Sequence, residues 1–194
     1  MVKLRVVWWF KHYGKGSKEP VSSLIRNIKE FCVDHKKSEK VKVQEWIPPA
    51  DNVLKFNVDG SVKGKNGPAG IGGVLRDSRG KILCTFSSYV GIQEPNTTEL
   101  LAIQKAVDMV MSKPNLGKIR ILVVSDSKVA VSWANNVGFG NLKLVNSIYD
   151  IRNKIREHGG IEIMYDSRAF NSYADNLAKM ASTDTRNVLI RGDN

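Results

Sequence analysis

Four acids stand at points where the chain changes direction, and together they have the makings of a metal site. Asp59 lies in "VDGS" after a strand-like run. Glu99 falls in the first turn of an amphipathic segment, Asp126 just past the apolar run "RILVV", and Asp175 at the start of the last helical segment. Each also has a local explanation. Asp59-Gly60 is a hairpin signal, Asn96 with Glu99 three residues later fits a capping box, Asp126 can cap the helix behind it, and Asp175 suits a helix dipole. Converging carboxylates, however, repel one another unless cations neutralise them. Magnesium is the natural candidate, because it takes hard oxygen ligands and bridges to phosphate. Two such ions about 4 Å apart activate a water and stabilise the leaving oxygen of a phosphodiester.

The elements that must position these acids are readable from periodicity. Leu54, Phe56 and Val58 alternate with Lys55, Asn57 and Asp59, which predicts a half-buried strand. Gly70 to Leu75 predicts a second strand, and Ile82, Cys84 and Phe86, alternating with Leu83, Thr85 and Ser87, a third. In "NTTELLAIQKAVDMVM" the residues Leu100, Ile103, Val107 and Val110 share one helix face. "KIRILVVSD" reads as a strand buried on both faces. "SKVAVSWANN" is a short helix, and Leu144, Ile148, Ile151 and Ile155 mark a longer one that stops at Gly159-Gly160. "IEIMY" is a fifth strand and "SYADNLAKMAS" a last helix. Asp126 then lies beyond the carboxyl end of a buried strand, where ligands of open sheets collect.

Thirty Lys and Arg against nineteen Asp and Glu give a formal charge of +11, which favours a polyanionic partner. Residues 1–45 hold eleven of those cations and five of the acids, about half the excess. This stretch is expected to form a basic extension, partly helical, with Leu24, Ile28 and Phe31 at helical spacing in "VSSLIRNIKEFCVDH". Trp8, Trp9 and Phe10 within it suit core packing better than base stacking. Pro48-Pro49 marks a boundary over 46–52, leaving a folded domain over 53–183 and a tail over 184–194. Cys32 and Cys84 have neither disulfide-framework nor metal-binding spacing, which points to a reducing compartment. "LRVVWWF" is too short to span a membrane and lacks the flanks of a signal peptide. An intracellular chain, nuclear or cytoplasmic, is expected. "GSVKGK" lacks the spacing of a phosphate-binding P-loop.

In order along the chain, "VDGS", "GKNGPAGIGGVLRDSRGKIL", "NTTELLAI", "VVSDSKVAV" and "ADNLAKMA" resemble the successive motifs of the ribonuclease H family. The likeness is greatest to the ribonuclease H domains of plant non-LTR retrotransposons and their relatives, and it covers roughly Trp46 to Ala181. It implies an α/β fold of three layers, a five-stranded mixed sheet flanked by helices. It also implies a nuclease that hydrolyses the RNA strand of an RNA–DNA hybrid with two magnesium ions, manganese being able to substitute. On this pattern Asp59, Glu99, Asp126 and Asp175 match the family's metal-binding carboxylates. Lys65 and Asn96 become the expected contacts to the minor groove, where 2′-hydroxyls distinguish RNA from DNA. The glycines after Asp59 are expected to let backbone approach that groove. A reverse transcriptase region of the same parent polyprotein is a possible partner, and the amino-terminal stretch faintly resembles the end of one.

Two positions depart from the family. Tyr165 stands where a histidine often precedes the last aspartate by ten residues, and none of His12, His35 or His158 takes that place. Lys128 replaces a glutamine common in cellular relatives, which favours phosphate over base-edge contact. Two rival readings follow: an inactive module that binds nucleic acid or protein without cutting, and a related nuclease or integrase that cuts DNA. The full set of four acids speaks against the first, and the glycine loop with "NTTELLAI" against the second.

Overall fold

The computed structural model describes residues 46–113, 116–117, 119–135, 142–184 and 188–191. The basic stretch 1–45, with its expected helix, its aromatic run and Cys32, lies outside the described residues. In chain order the elements are β1 (Val53–Val62), β2 (Gly67–Arg76), β3 (Ile82–Gln93), α1 (Pro95–Met111), β4 (Arg120–Ser125), α2 (Lys128–Ala134), α3 (Val145–His158), β5 (Ile161–Tyr165), α4 (Ser172–Thr183) and β6 (Val188–Arg191). One mixed sheet runs β5-β4-β1-β2-β3-β6. The first three strands form an antiparallel meander, and β4 and β5 add in parallel beside β1. The five expected strands and four helices are all present in the expected order. A sixth strand, the short β6, pairs with Cys84–Ser87 from within the expected tail. Four residues carry too little periodicity to mark a strand in advance.

One face of the sheet carries the main core. Phe56 and Val58 of β1 pack with Leu100, Ile103, Val107 and Val110 of α1 and with Ile148 and Ile151 of α3. Phe56 meets Phe86 edge-on, with centroids 5.8 Å apart. Each such side chain, fully buried, contributes about 1.5–3 kcal/mol by area transfer. The amphipathic pattern of α1 holds, since all four of its expected core residues are buried. Gly159 ends α3 in the left-handed region at φ 69°, as a C-terminal glycine should.

The other face was expected to meet solvent and does not. Lys55, Asn57 and Asp59 are all buried, so β1 is covered on both sides. α4 lies over this face at very short range. A Cβ on Gly70 would stand 2.3 Å from Ser182 N, and one on Gly72 2.4 Å from Ala178 N. Those glycines therefore serve close packing of helix on sheet rather than approach to a groove. The Asp59-Gly60 pair is likewise no turn: β1 runs on to Val62, and the reversal occupies residues 63–66.

Trp46 and Ile47, from the expected boundary segment, cap the buried polar face. The Trp46 indole N–H donates to Asn57 Oδ1 at 2.9 Å. The Lys55 ammonium donates to the Ile47 carbonyl at 3.3 Å and lies 5.6 Å from the Trp46 ring centroid. Arg76 stacks between Trp46 and Tyr173, 5.0 and 5.1 Å from their centroids. Lys55 also reaches Asp166 Oδ2 at 3.5 Å, which ties this cluster to the loop between β5 and α4. No helix among the described residues is long and apolar enough to cross a membrane.

Candidate functional site

Strand register brings the first two acids together. The parallel β1–β4 ladder ends at Asn57 opposite Val124. Carried on by two residues, it sets Asp59 beside Asp126, past the carboxyl end of β4. Glu99 arrives from α1, whose first turn lies directly against β1. A Cβ on Gly60 would stand 2.7 Å from Glu99 N and Thr98 C, so only glycine admits this approach. The Gly60 N–H then donates to Glu99 Oε2 at 3.1 Å. Ligand oxygens of Asp59, Glu99 and Asp126 consequently lie within 4.8 Å of one another.

The local explanations for these acids fail on geometry. The N-cap of α1 is Glu94 rather than Asn96, and Pro95 occupies the first turn. Glu99 therefore closes no capping box; its carboxylate faces Gly60 instead. Ser127, not Asp126, caps α2, its hydroxyl accepting from Ala130 N at 3.2 Å. Asp175 does lie in the first turn of α4.

Electrostatics mark Asp59 and Glu99 as misfits without a cation. Burial first, then the charges of Glu99, Asp126 and Asp175, raise Asp59 from 3.8 to about 9. Burial and Asp126 raise Glu99 from 4.5 to about 8, against the opposing pull of the Gly60 N–H and Arg168. The Asn171 amide donates to Asp59 Oδ1 at 3.4 Å and to Val58 O at 2.8 Å. As a carboxylate, Asp59 Oδ2 is buried with no hydrogen-bond partner among the described residues. Protonated, it bonds to Asp126 instead. An orphaned buried oxygen among three all-oxygen donors suits a hard divalent cation, whose own oxygen ligands span about 4 Å. The set can hold a metal ion.

Asp175 stands apart from this trio and already has cations. Arg168 Nη2 reaches its Oδ1 at 3.2 Å, and Lys179 pairs with its Oδ2 one helical turn on. Arg168 Nε also lies 3.8 Å from Asp126 Oδ2, so one guanidinium spans two of the four acids. These carboxylates keep Arg168 firmly charged, its pKa raised chiefly by Asp175. Lys179 was legible as a partner four residues along a helix. Arg168 and Asn171 were not, because their nearness to the acids depends on β4–β5 pairing and on the loop that follows it.

Lys65 is exposed in the 63–66 turn and Asn96 in the first turn of α1. Gly67 pairs with Gln93, which sets that turn close to the start of α1. Both residues thus flank the end of the sheet at which Asp59 meets Glu99 of α1. Lys128 is exposed at the start of α2, its ammonium 5.0 Å from the Tyr165 ring centroid.

Residues 57–181 match the profile of a family described as reverse transcriptase-like. The chain belongs to that family. Its fold is shared with ribonucleases H of known structure. LC11-RNase H1, isolated from compost by a metagenomic approach, is 28% identical with a TM-score of 0.63, over 68% of this chain and 96% of that one. The same enzyme in complex with RNA/DNA hybrid aligns at 27% identity and a TM-score of 0.62, over 67% and 96% of the two chains. RNase H1 from the halophilic archaeon Halobacterium salinarum NRC-1 is 26% identical with a TM-score of 0.55, over 66% and 96%. No curated protein matches the sequence.

Proposed function

We propose that this chain is a magnesium-dependent endoribonuclease that hydrolyses the RNA strand of RNA–DNA hybrids. The observation that carries this is the meeting of Asp59, Glu99 and Asp126 around an unsatisfied buried oxygen, in the fold of a relative solved with RNA/DNA hybrid. Asp59, Glu99 and Asp126 would hold one ion, and Asp175 with its neighbours would complete the site for a second. When bound, magnesium supplies an activated water and neutralises charge at the scissile phosphate.

The chain's own residues do the positioning. The Gly60 N–H fixes the Glu99 carboxylate, and the Asn171 amide ties Asp59 to the loop before α4. Arg168 offsets the charge of Asp126 and Asp175, and its exposed side chain lies on the rim where a phosphate backbone would approach. Lys65 and Asn96 would contact the hybrid across the minor groove, and Lys128 a phosphate. The motif likeness to retrotransposon domains supports a retroelement origin, with a reverse transcriptase region of the parent polyprotein supplying the hybrid.

Incubation with labelled hybrid, duplex RNA and duplex DNA, in magnesium or in chelator, tests the reading. Loss of hybrid RNA alone, and only with magnesium, is expected. Binding of hybrid without cleavage would favour an inactive module, and cleavage of duplex DNA would sink the proposal.

A further inference from the structure

Most cations near the acidic site are already engaged by carboxylates. Arg168 pairs with Asp126 and Asp175, Lys179 with Asp175, and Lys55 with Asp166. Lys128 differs. Among the described residues no carboxylate pairs with it, and its ammonium lies over the Tyr165 ring, 5.0 Å from the centroid.

Both partners are fixed by backbone that also places Asp126. Tyr165 is the last residue of β5, directly opposite Ser125 in the parallel ladder. The next N–H, from Asp166, donates to Ser125 O at 3.1 Å. On the other side, Ser127 N donates to Ser125 Oγ at 3.1 Å, and Lys128 begins α2 immediately afterwards. Ser125 thus anchors the tyrosine ring, the lysine backbone and the metal-binding aspartate within a few residues. Tyr165 is 44% exposed, so its ring offers Lys128 a platform rather than a burial site.

An ammonium seated on an aromatic face gains electrostatic attraction from it and still directs N–H donors outward. Its flexible stem is held, while its charge stays available to an anion. We propose that Lys128 and Tyr165 form one phosphate-binding subsite for the nucleic-acid backbone beside the acidic site, with Tyr165 as the residue that stations the lysine. This rests on the reading of the chain as a hybrid-binding nuclease and adds a role for the position at which related enzymes often carry histidine. The tyrosine acts through its ring face rather than through proton transfer.

The test is equilibrium binding of a fluorescent RNA–DNA hybrid, in calcium to prevent turnover, over a series of salt concentrations. Lys128→Ala should weaken binding several-fold and flatten the salt dependence by about one phosphate contact, a change in log–log slope of about 0.9. Tyr165→Ala should weaken binding by about two- to five-fold, as an exposed cation–π contact would. It should have no further effect in the Lys128→Ala background. Tyr165→Phe should bind like the parent, because the ring face is kept. Equal weakening by Tyr165→Ala in both backgrounds, or an unchanged slope in Lys128→Ala, would overturn the subsite while leaving the nuclease reading standing. A parent protein that binds no hybrid would overturn both.

Discussion

The backbone N–H of Gly60 donates to the Glu99 carboxylate at 3.1 Å, joining β1 to the N-terminal part of α1. This contact exists because Gly60 has no Cβ: one placed there would lie 2.7 Å from backbone atoms of Thr98 and Glu99. Gly60→Ala should therefore push the two elements apart. The expected cost is about 1–3 kcal/mol of stability, the range for overpacking. Cleavage should fall further than stability alone explains, because Glu99 loses its place beside Asp59 and Asp126. Denaturant midpoints and cleavage rates at a temperature where both proteins are folded separate the two effects.

Burial and mutual repulsion raise Asp59 to about 9 and Glu99 to about 8, and this sets a direction for stability against pH. Below the ordinary carboxylate range both groups are neutral in the folded and the unfolded chain and cost nothing. As pH rises from about 4 towards 9 the unfolded chain releases these protons while the folded protein keeps them, so the metal-free fold loses stability across that window. In chelator, Tm should fall from pH 5 to pH 9, and Asp59→Asn should flatten the fall. At pH 8 that variant should melt higher than the parent by roughly 5 °C, as about 2 kcal/mol would give in a domain of this size. Magnesium should stabilise the parent and release protons as it binds. Calorimetry in buffers of different ionisation enthalpy reads that release, and no proton release at pH 7 would contradict the raised pKa values.

Residues 1–45 hold +6 of the chain's +11. Deleting them should weaken hybrid binding and flatten its salt dependence, because fewer counterions are released. Trp46, which covers Asn57 and Lys55, remains in such a truncation, and so does every described residue of the core around Phe56 and Leu100. The shortened chain should therefore still fold. An unchanged salt slope would show that the extension does not touch the hybrid.

Much of this arrangement was legible in advance because periodicity and motif order report on local structure. The apolar faces of α1 and α3, the buried strand before Asp126 and the glycine stop after His158 all follow from short-range pattern. What escaped was set by tertiary packing. Lys55, Asn57 and Asp59 read as a solvent face, yet α4 and Trp46 bury them. The glycines after Asp59 read as a close backbone approach to nucleic acid, yet Gly70 and Gly72 admit α4 against the sheet. β6 was too short to signal itself, and Arg168 meets Asp126 only because β5 lies beside β4. The four acids stood out by type and spacing, but the convergence of Asp59, Glu99 and Asp126 is a property of register and close packing.

The account depends most on Asp126 as a metal-binding group in a nuclease of hybrids. Its most direct test is a time course of end-labelled RNA, annealed to DNA in magnesium, with the parent protein and with Asp126→Asn. The account predicts that the parent shortens the RNA strand. The variant should bind the same hybrid and leave it intact, with a cleavage rate lower by at least about a hundred-fold, as loss of a group central to transition-state stabilisation would give. Asp126→Asn cutting at the parent rate would contradict the account, and so would a parent that leaves the hybrid whole.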